Sequence, residues 1–556
     1  MRPLPRSAVL SGSAERLNPC GPGPFVSHIH DRKKASIIMV WHYTKSTDNR
    51  IGWGEHSGLG KAFFKIAIKN FILLQLLFLG LFAYCFGSLY QQTEHTHNIH
   101  IAFVDYDGGA IGEAVRTAFE SLKGDSFPTL VDSSPDAFPN PEDLRSAVCQ
   151  TRYWGGLYLS SNASSRLQDA LGGGPPALGY DPTDVFTLIW NEARYSTVAD
   201  TAVLSNVQTL VEAARVAYFR ADGTGRIQGI TSAEALTVFA NPWKLKQDDI
   251  QPTSQGSRAI YNTLVIILIL IQEFFYLGAI NGLYANLKIY ARVHPSRVMV
   301  IRFLLSAAYC LVGSVCVTGM IWAFRAGWDV GALQFGQSWM LLWLFAHLNF
   351  QVIDVFTIWL PVPYVPMALI SWVIMNVTSI LLPFELSPGF YRLGYLFPSH
   401  EVYQALLDIW SRGCNPHLRY ALPVLFAWWL VSCALSALGV FRRSHYAMLA
   451  EEAQAKQFSD RVTTALAYER ERDEQERQKE KEGGEGASTT GEGTVVSSST
   501  SNVAGEDEER RLSRIITREA KEEQRLQRNL SNKCNFGPSF GVSAANDSHD
   551  DAEARK

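Results

Sequence analysis

Glu273 stands in the middle of an otherwise apolar run, LVIILILIQEFFYLGAI, and a later apolar run carries His347, Gln351 and Asp354 at i, i+4 and i+7. An ionisable group at bilayer depth is costly and faces a partner or a water-filled cavity. Asn262, eleven residues before Glu273, falls on nearly the same helical face, and Asn376 and Thr378 occupy a further apolar run. These groups suit a polar path or a proton-sensitive site between helices. The alternative is hydrogen-bond glue that joins helices and needs no substrate.

Other chemistry finds little footing. Gly58-Leu59-Gly60-Lys61-Ala62 fails as a phosphate-binding loop, because Glu55 stands where the first glycine is required and Ala62 replaces the magnesium-binding hydroxyl. The His347–Asp354 spacing is not that of a His/Asp acyltransferase and no G-x-S-x-G elbow occurs, so the chain is expected not to be an enzyme and to need no cofactor. His95, His97 and His100 with Glu94 read as an exposed juxtamembrane linker rather than a metal site. Cys149 and Cys414 are the two cysteines expected outside the membrane, where a disulfide could form.

The elements that must hold the polar groups are membrane helices. Mean hydropathy is −0.01, but the last 106 residues hold 40 of the 103 charges, whereas 260–441 hold 14 in 182 residues. Such segregation excludes a simple soluble protein, and a net charge of −3 argues against nucleic-acid binding. Runs of about 20 apolar residues mark six spans: 71–90, 260–284, 298–324, 339–360, 364–383 and 421–441. Lys61, Lys65 and Lys69 precede the first, Lys288, Arg292 and Arg297 follow the second, and Arg442 and Arg443 follow the sixth. Positive flanks stay cytosolic, so both termini are expected inside and residues 91–258 and the 384–420 loop outside.

The expected organisation is a mostly disordered cytosolic segment 1–60, a basic entry and first span 61–90, an extracytoplasmic α/β domain 91–258, a five-helix membrane domain 259–443 and a largely disordered charged tail 444–556. In the external domain, strands are expected at 99–106, 153–159 and 185–190, with helices at 111–122, 141–148, 164–171 and 197–219. Asn162 heads a glycosylation sequon, and Ser513 and Ser36 follow basic residues in the manner of kinase sites. The start of the tail, YERERDEQERQKEKE, can form a solvated helix through i,i+4 ion pairs.

The stretches Ile101–Ala110 (IAFVDYDGGA), Tyr153–Leu159 (YWGGLYL), Asn376–Pro383 and Leu386–Pro398 (LSPGFYRLGYLFP) resemble the fungal nitrosoguanidine-resistance membrane proteins. More broadly, Lys61 to Arg443 resembles ABC type-2 permeases and the phage-infection-protein group. The resemblance implies a multi-pass plasma-membrane or endomembrane protein that exports toxic small organic compounds without its own ATPase. Six spans would be half a type-2 permease, which implies a homodimer. The other reading is a non-transporting regulator or scaffold, with an external ligand-binding domain and a tail open to a cytosolic kinase.

Overall fold

A computed structural model describes residues 57–228, 230, 232–253, 264–325, 329–484, 513–518 and 521. By internal contacts the chain forms two units, Met1–Leu77 and Phe78–Lys556. Helix α1, Ser57–Gly87, contains an apolar stretch of 25 residues, Phe63–Gly87. Phe63, Phe64, Ile66, Phe71 and Leu76 are all exposed on it, the outward apolar surface expected of a helix in lipid.

The chain then builds a five-stranded sheet from β1 (His100–Asp105), β2 (Thr129–Ser133), β3 (Gly155–Leu159), β4 (Phe186–Trp190) and β5 (Leu245–Asp249), in the order β2-β1-β3-β4-β5. β1 runs parallel to β2 and β3, β4 is antiparallel to β3, and β5 is parallel to β4. Parallel neighbours need crossovers. Helix α2 (Ala110–Leu122) joins β1 to β2, α3 (Pro141–Cys149) joins β2 to β3, and α5 (Ser205–Gln228) with α6 (Ala233–Ala240) joins β4 to β5. Helix α4, Ala163–Leu171, follows β3.

Helices cover both faces of the sheet, so β1 is apolar on both sides. Ile101 and Phe103 pack in the core with Ile111 and Val115 of α2, while Ala102 and Val104 pack with Leu144 and Val148 of α3. Gly156 permits that second layer, since a Cβ there would stand 2.6 Å from Leu144 Cγ. The expected strands and helices are present, but the long expected helix at 197–219 begins as a wider turn over Ala199–Leu204 before α5. Two strands were not expected, β2 (TLVDS) and β5 (LKQDD). They are the edges of the sheet, where polar side chains face water and the apolar alternation fades.

The second unit continues with α7 (Val265–Asn286), a short α8 (Ile289–Arg292), α9 (Pro295–Ala323), α10 (Ala332–Trp359), α11 (Val365–Thr378), α12 (Pro398–Trp410) and α13 (Leu418–Gly484). Among the described residues, α1, α7, α9, α10 and the apolar start of α13 are the five helices long and apolar enough to cross a membrane. The expected fifth span, 364–383, is helical over only 14 residues. At 1.5 Å per residue that is about 21 Å, short of a ~30 Å hydrocarbon core. Prolines set both limits: Pro361, Pro363 and Pro366 hold back its start, and the helix ends before Pro383. Helix α11 nonetheless leads from Trp359, which stacks against Arg442, to Glu385, whose carbonyl accepts from Asn98 just before β1.

Helix α12 is buried along its whole length. The start of the tail is helical as expected, and α13 runs unbroken from the last span to Gly484. Its charged part is rich in Ala, Glu, Gln and Arg, which extend an existing helix without a new nucleation step.

Candidate functional site

Helix α10 is the centre of the membrane part, and every residue from Phe345 to Asp354 on it is buried. Asp354 is fully buried and held from several sides. Arg302 of α9 donates twice to it, Nη2 to Oδ1 at 2.6 Å and Nε to Oδ2 at 3.2 Å. Ser436 of α13 donates to Oδ2 at 2.7 Å. Arg443, also on α13, stands 3.4 Å from Oδ1 and donates to Thr357 Oγ1 at 2.7 Å and Tyr290 Oη at 3.2 Å. Asn281 of α7 accepts from Arg302 at 2.8 Å. Two guanidinium groups thus share one carboxylate, and the centre carries one net positive charge.

Two turns earlier on α10, His347 accepts at Nδ1 from the indole N–H of Trp429, 2.9 Å away. That donor places the ring proton on Nε2, which then donates to Ser306 Oγ at 3.2 Å. Gln351 lies 3.0 Å from the same Nε2, and with the proton there its amide must present oxygen.

Glu273 on α7 is fully buried. The thiol of Cys310 on α9 donates to its Oε2 at 3.2 Å, whereas Oε1 has no hydrogen-bond partner. Beside it Tyr276 of α7 and Tyr309 of α9 stack with ring centroids 3.5 Å apart.

Helix α9 ties these groups together. Arg302 meets Asp354, Ser306 meets His347 and Cys310 meets Glu273, at successive i+4 positions, and the stripe continues through the buried Ser314 and Thr318. Sequence reasoning expected a span at 298–324 but gave no functional role to Arg302, Ser306 or Cys310 on it. A polar residue every fourth position in an apolar run was the available signal. Arg443, which directly follows the last apolar run, turns its side chain back into the helix bundle.

The other expected residues lie elsewhere. Asn376 donates to Trp372 O at 2.9 Å and accepts from the backbone N–H of Ser399 at 3.3 Å, which caps the start of α12 and keeps it out of the polar stripe. Asn262 and Ser36 lie outside the described residues. Ser513 is exposed at the start of the helical turn 513–518, in which Ile515 is buried. Asn162 is exposed in a left-handed conformation before α4, and the Ser164 hydroxyl of its sequon bonds the Asp107 carboxylate. Among the described residues no group of three or more His, Cys, Asp or Glu could hold a metal ion.

A second polar cluster lies where the α/β domain meets α12. The structure joins Cys149 at the end of α3 to Cys414, a sequence separation of 265. The loop after β4 seats alongside: Asn191 donates to Cys414 O at 3.2 Å, Arg194 lies 3.8 Å from Glu385 and over the Trp154 ring, and Tyr195 packs edge-on against Tyr403. Burial pushes the His400 imidazole down to about 3, helped by His417, so the ring is neutral at physiological pH. Behind the loop, Asp249 accepts from the backbone N–H of Glu192 at 3.0 Å and of Gln251 at 3.1 Å. Burial pushes Asp249 up to about 7, and the neighbouring Glu192 carboxylate adds to the rise against those backbone bonds.

A family described as protein of unknown function (DUF3533) matches residues 70–434, about two-thirds of the chain. The chain belongs to that family. The match covers α1 from Asn70 and continues through the α/β domain and α7 to α12 into the start of α13, so Asp354, Arg302, His347, Glu273 and both disulfide cysteines fall within it. Ser436, Arg443 and the charged part of α13 lie beyond it. With its long apolar helices the chain is a multi-pass membrane protein.

Proposed function

We propose that the protein is a permease-like exporter of small toxic organic compounds that hydrolyses no nucleotide itself. The observation that carries this reading is the α9 stripe from Arg302 to Thr318, about 24 Å of buried polar side chains. It meets an acid or a histidine at three levels, an arrangement suited to a polar route across hydrocarbon. The resemblance to type-2 permeases supports the same reading and a homodimer of two six-span halves.

The short α11 supports six passes, because the chain after it reaches Glu385 beside the external domain. Both ends of the chain would then share the cytosolic side, with the external domain opposite and the plasma membrane as the natural location. The test is accumulation of a toxic substrate in cells carrying Glu273→Gln, a change that keeps shape and the Cys310 contact. Raised accumulation at unchanged protein abundance supports export, and wild-type accumulation counts against it.

Helix α13 favours a second reading. A 67-residue helix leaving the membrane with a mixed-charge surface suits a scaffold that recruits cytosolic partners, including a kinase acting at Ser513 or Ser36. Truncation at residue 445 separates the two, since loss of resistance from that deletion alone would favour the scaffold.

A further inference from the structure

We infer that Arg302 and Arg443 form a binding site for an oxyanion, a phosphate or carboxylate group carried by a lipid or a small molecule. The inference rests on the permease reading only in taking this centre as functional, and it names the ligand class that reading leaves open.

Charge balance is the first ground. Arg302 is almost wholly buried and Arg443 nearly so, and among the described residues Asp354 is the only carboxylate paired with either of them. The nearby Lys288 is matched by Glu451 at 3.7 Å, and Arg442 lies over Trp359 and Tyr446, so neither changes the balance. One positive charge is therefore left over in a site of low polarity, where an unpaired ion is expensive and an anion is strongly favoured.

The remaining donors are the second ground. Arg302 Nη1, Arg443 Nε and Ser444 Oγ are buried and have no hydrogen-bond partner. Guanidinium groups bind phosphate and carboxylate through paired, charge-assisted N–H bonds. The Tyr290 hydroxyl already takes one bond from Arg443, and the Tyr284 ring lies 5.4 Å from the Arg302 guanidinium, giving the site an aromatic wall suited to an amphiphile.

Depth is the third. Arg302 lies seven residues into α9 from Pro295, about 10 Å along the helix, and Arg443 follows the last apolar run directly. Both therefore lie near the end of the hydrocarbon layer, at the face that also carries Lys288 and Arg292, where anionic headgroups gather.

The test uses the purified full chain in nanodiscs of neutral phosphatidylcholine. Fluorescent phosphatidic acid serves as the probe, with inorganic phosphate and lysophosphatidic acid as competitors. Arg443→Gln leaves Asp354 paired with Arg302 and is expected to weaken probe binding tenfold or more, the scale of a lost charge-assisted bond. Arg442→Gln, one residue away but outside the cluster, should leave binding within about twofold. Competition by inorganic phosphate would show that a free oxyanion suffices, and competition by lysophosphatidic acid alone would assign an amphiphile; both sustain the inference. Equal binding by the two variants, or no saturable binding by wild type, overturns it. Saturable binding without any export would uphold this site and sink the permease reading, whereas export lost in Glu273→Gln with no anion binding would do the reverse.

Discussion

Arg302 grips both carboxylate oxygens of Asp354 across the α9–α10 interface, with distances of 2.6 and 3.2 Å and both side chains buried. Breaking a buried pair strands a charge, which costs about 3–5 kcal/mol. Asp354→Asn, which leaves Arg302 and Arg443 both unmatched, should lower stability by that scale, whereas Arg302→Gln, which leaves Asp354 beside Arg443, should cost less. The double variant should lose less than the sum, since neither partner is left facing a lost charge. Additive losses in a denaturation cycle would show that the pair is not energetically coupled.

The Cys149–Cys414 bond closes a very long loop and ties the α/β domain to the chain beside α12. Its loss should cost about 2–4 kcal/mol. Reductant should lower the melting temperature of wild type and leave a Cys149→Ser/Cys414→Ser variant unmoved. A variant that still responds to reductant would locate the sensitive bond elsewhere.

Asp249 sets a pH dependence. Its folded value near 7 lies above the unfolded 3.8, so the folded form binds the proton more tightly. The stabilisation is complete below the unfolded value and is lost as pH rises through about 7. Melting of the full chain should therefore weaken between about pH 4 and pH 7, and Asp249→Asn should flatten that slope. An unchanged slope in the variant would assign the titration to another group.

Gly156 tests the packing of α3 on the sheet. An added methyl would meet Leu144 Cγ at 2.6 Å, and overpacking of this kind costs about 1–3 kcal/mol. Gly156→Ala should lose stability on that scale, and Leu144→Ala in the same chain should recover part of it by making room. No recovery would mean that the strain lies in the backbone.

The exposed Asn162 tests which side the external domain faces. An enzyme that removes N-glycans should shift the mobility of wild type expressed in a eukaryotic cell, and Asn162→Gln should abolish the shift. A shift that persists in the variant would move the glycan to another site.

Much of this was legible in the chain because the relevant signals are local. Apolar runs long enough to cross a bilayer mark themselves, and the period-two and period-four patterns of 99–219 announced an α/β domain. His347, Gln351 and Asp354 could be placed on one face of α10 from spacing alone, since a helix fixes that relation whatever surrounds it. The edge strands β2 and β5 were not legible, because a half-solvated strand carries too few apolar side chains to stand out. Nor was the limit of α11, where hydropathy continues past Thr378 but the backbone leaves the helix before Pro383.

The sequence by itself determined the membrane character of the chain, the insertion of an α/β domain between the first two spans, and the presence of a few ionisable groups in apolar surroundings. Tertiary structure alone decided how those groups are paired. Arg302 lies 52 residues from Asp354, Arg443 lies 89 residues beyond it, and Cys149 lies 265 from Cys414. Helical periodicity sets direction around one axis and says nothing about which other helix lies there. The packing of α9 and α13 on α10 supplies that choice, because a buried charge is tolerated only where the assembled bundle brings a counter-charge to meet it.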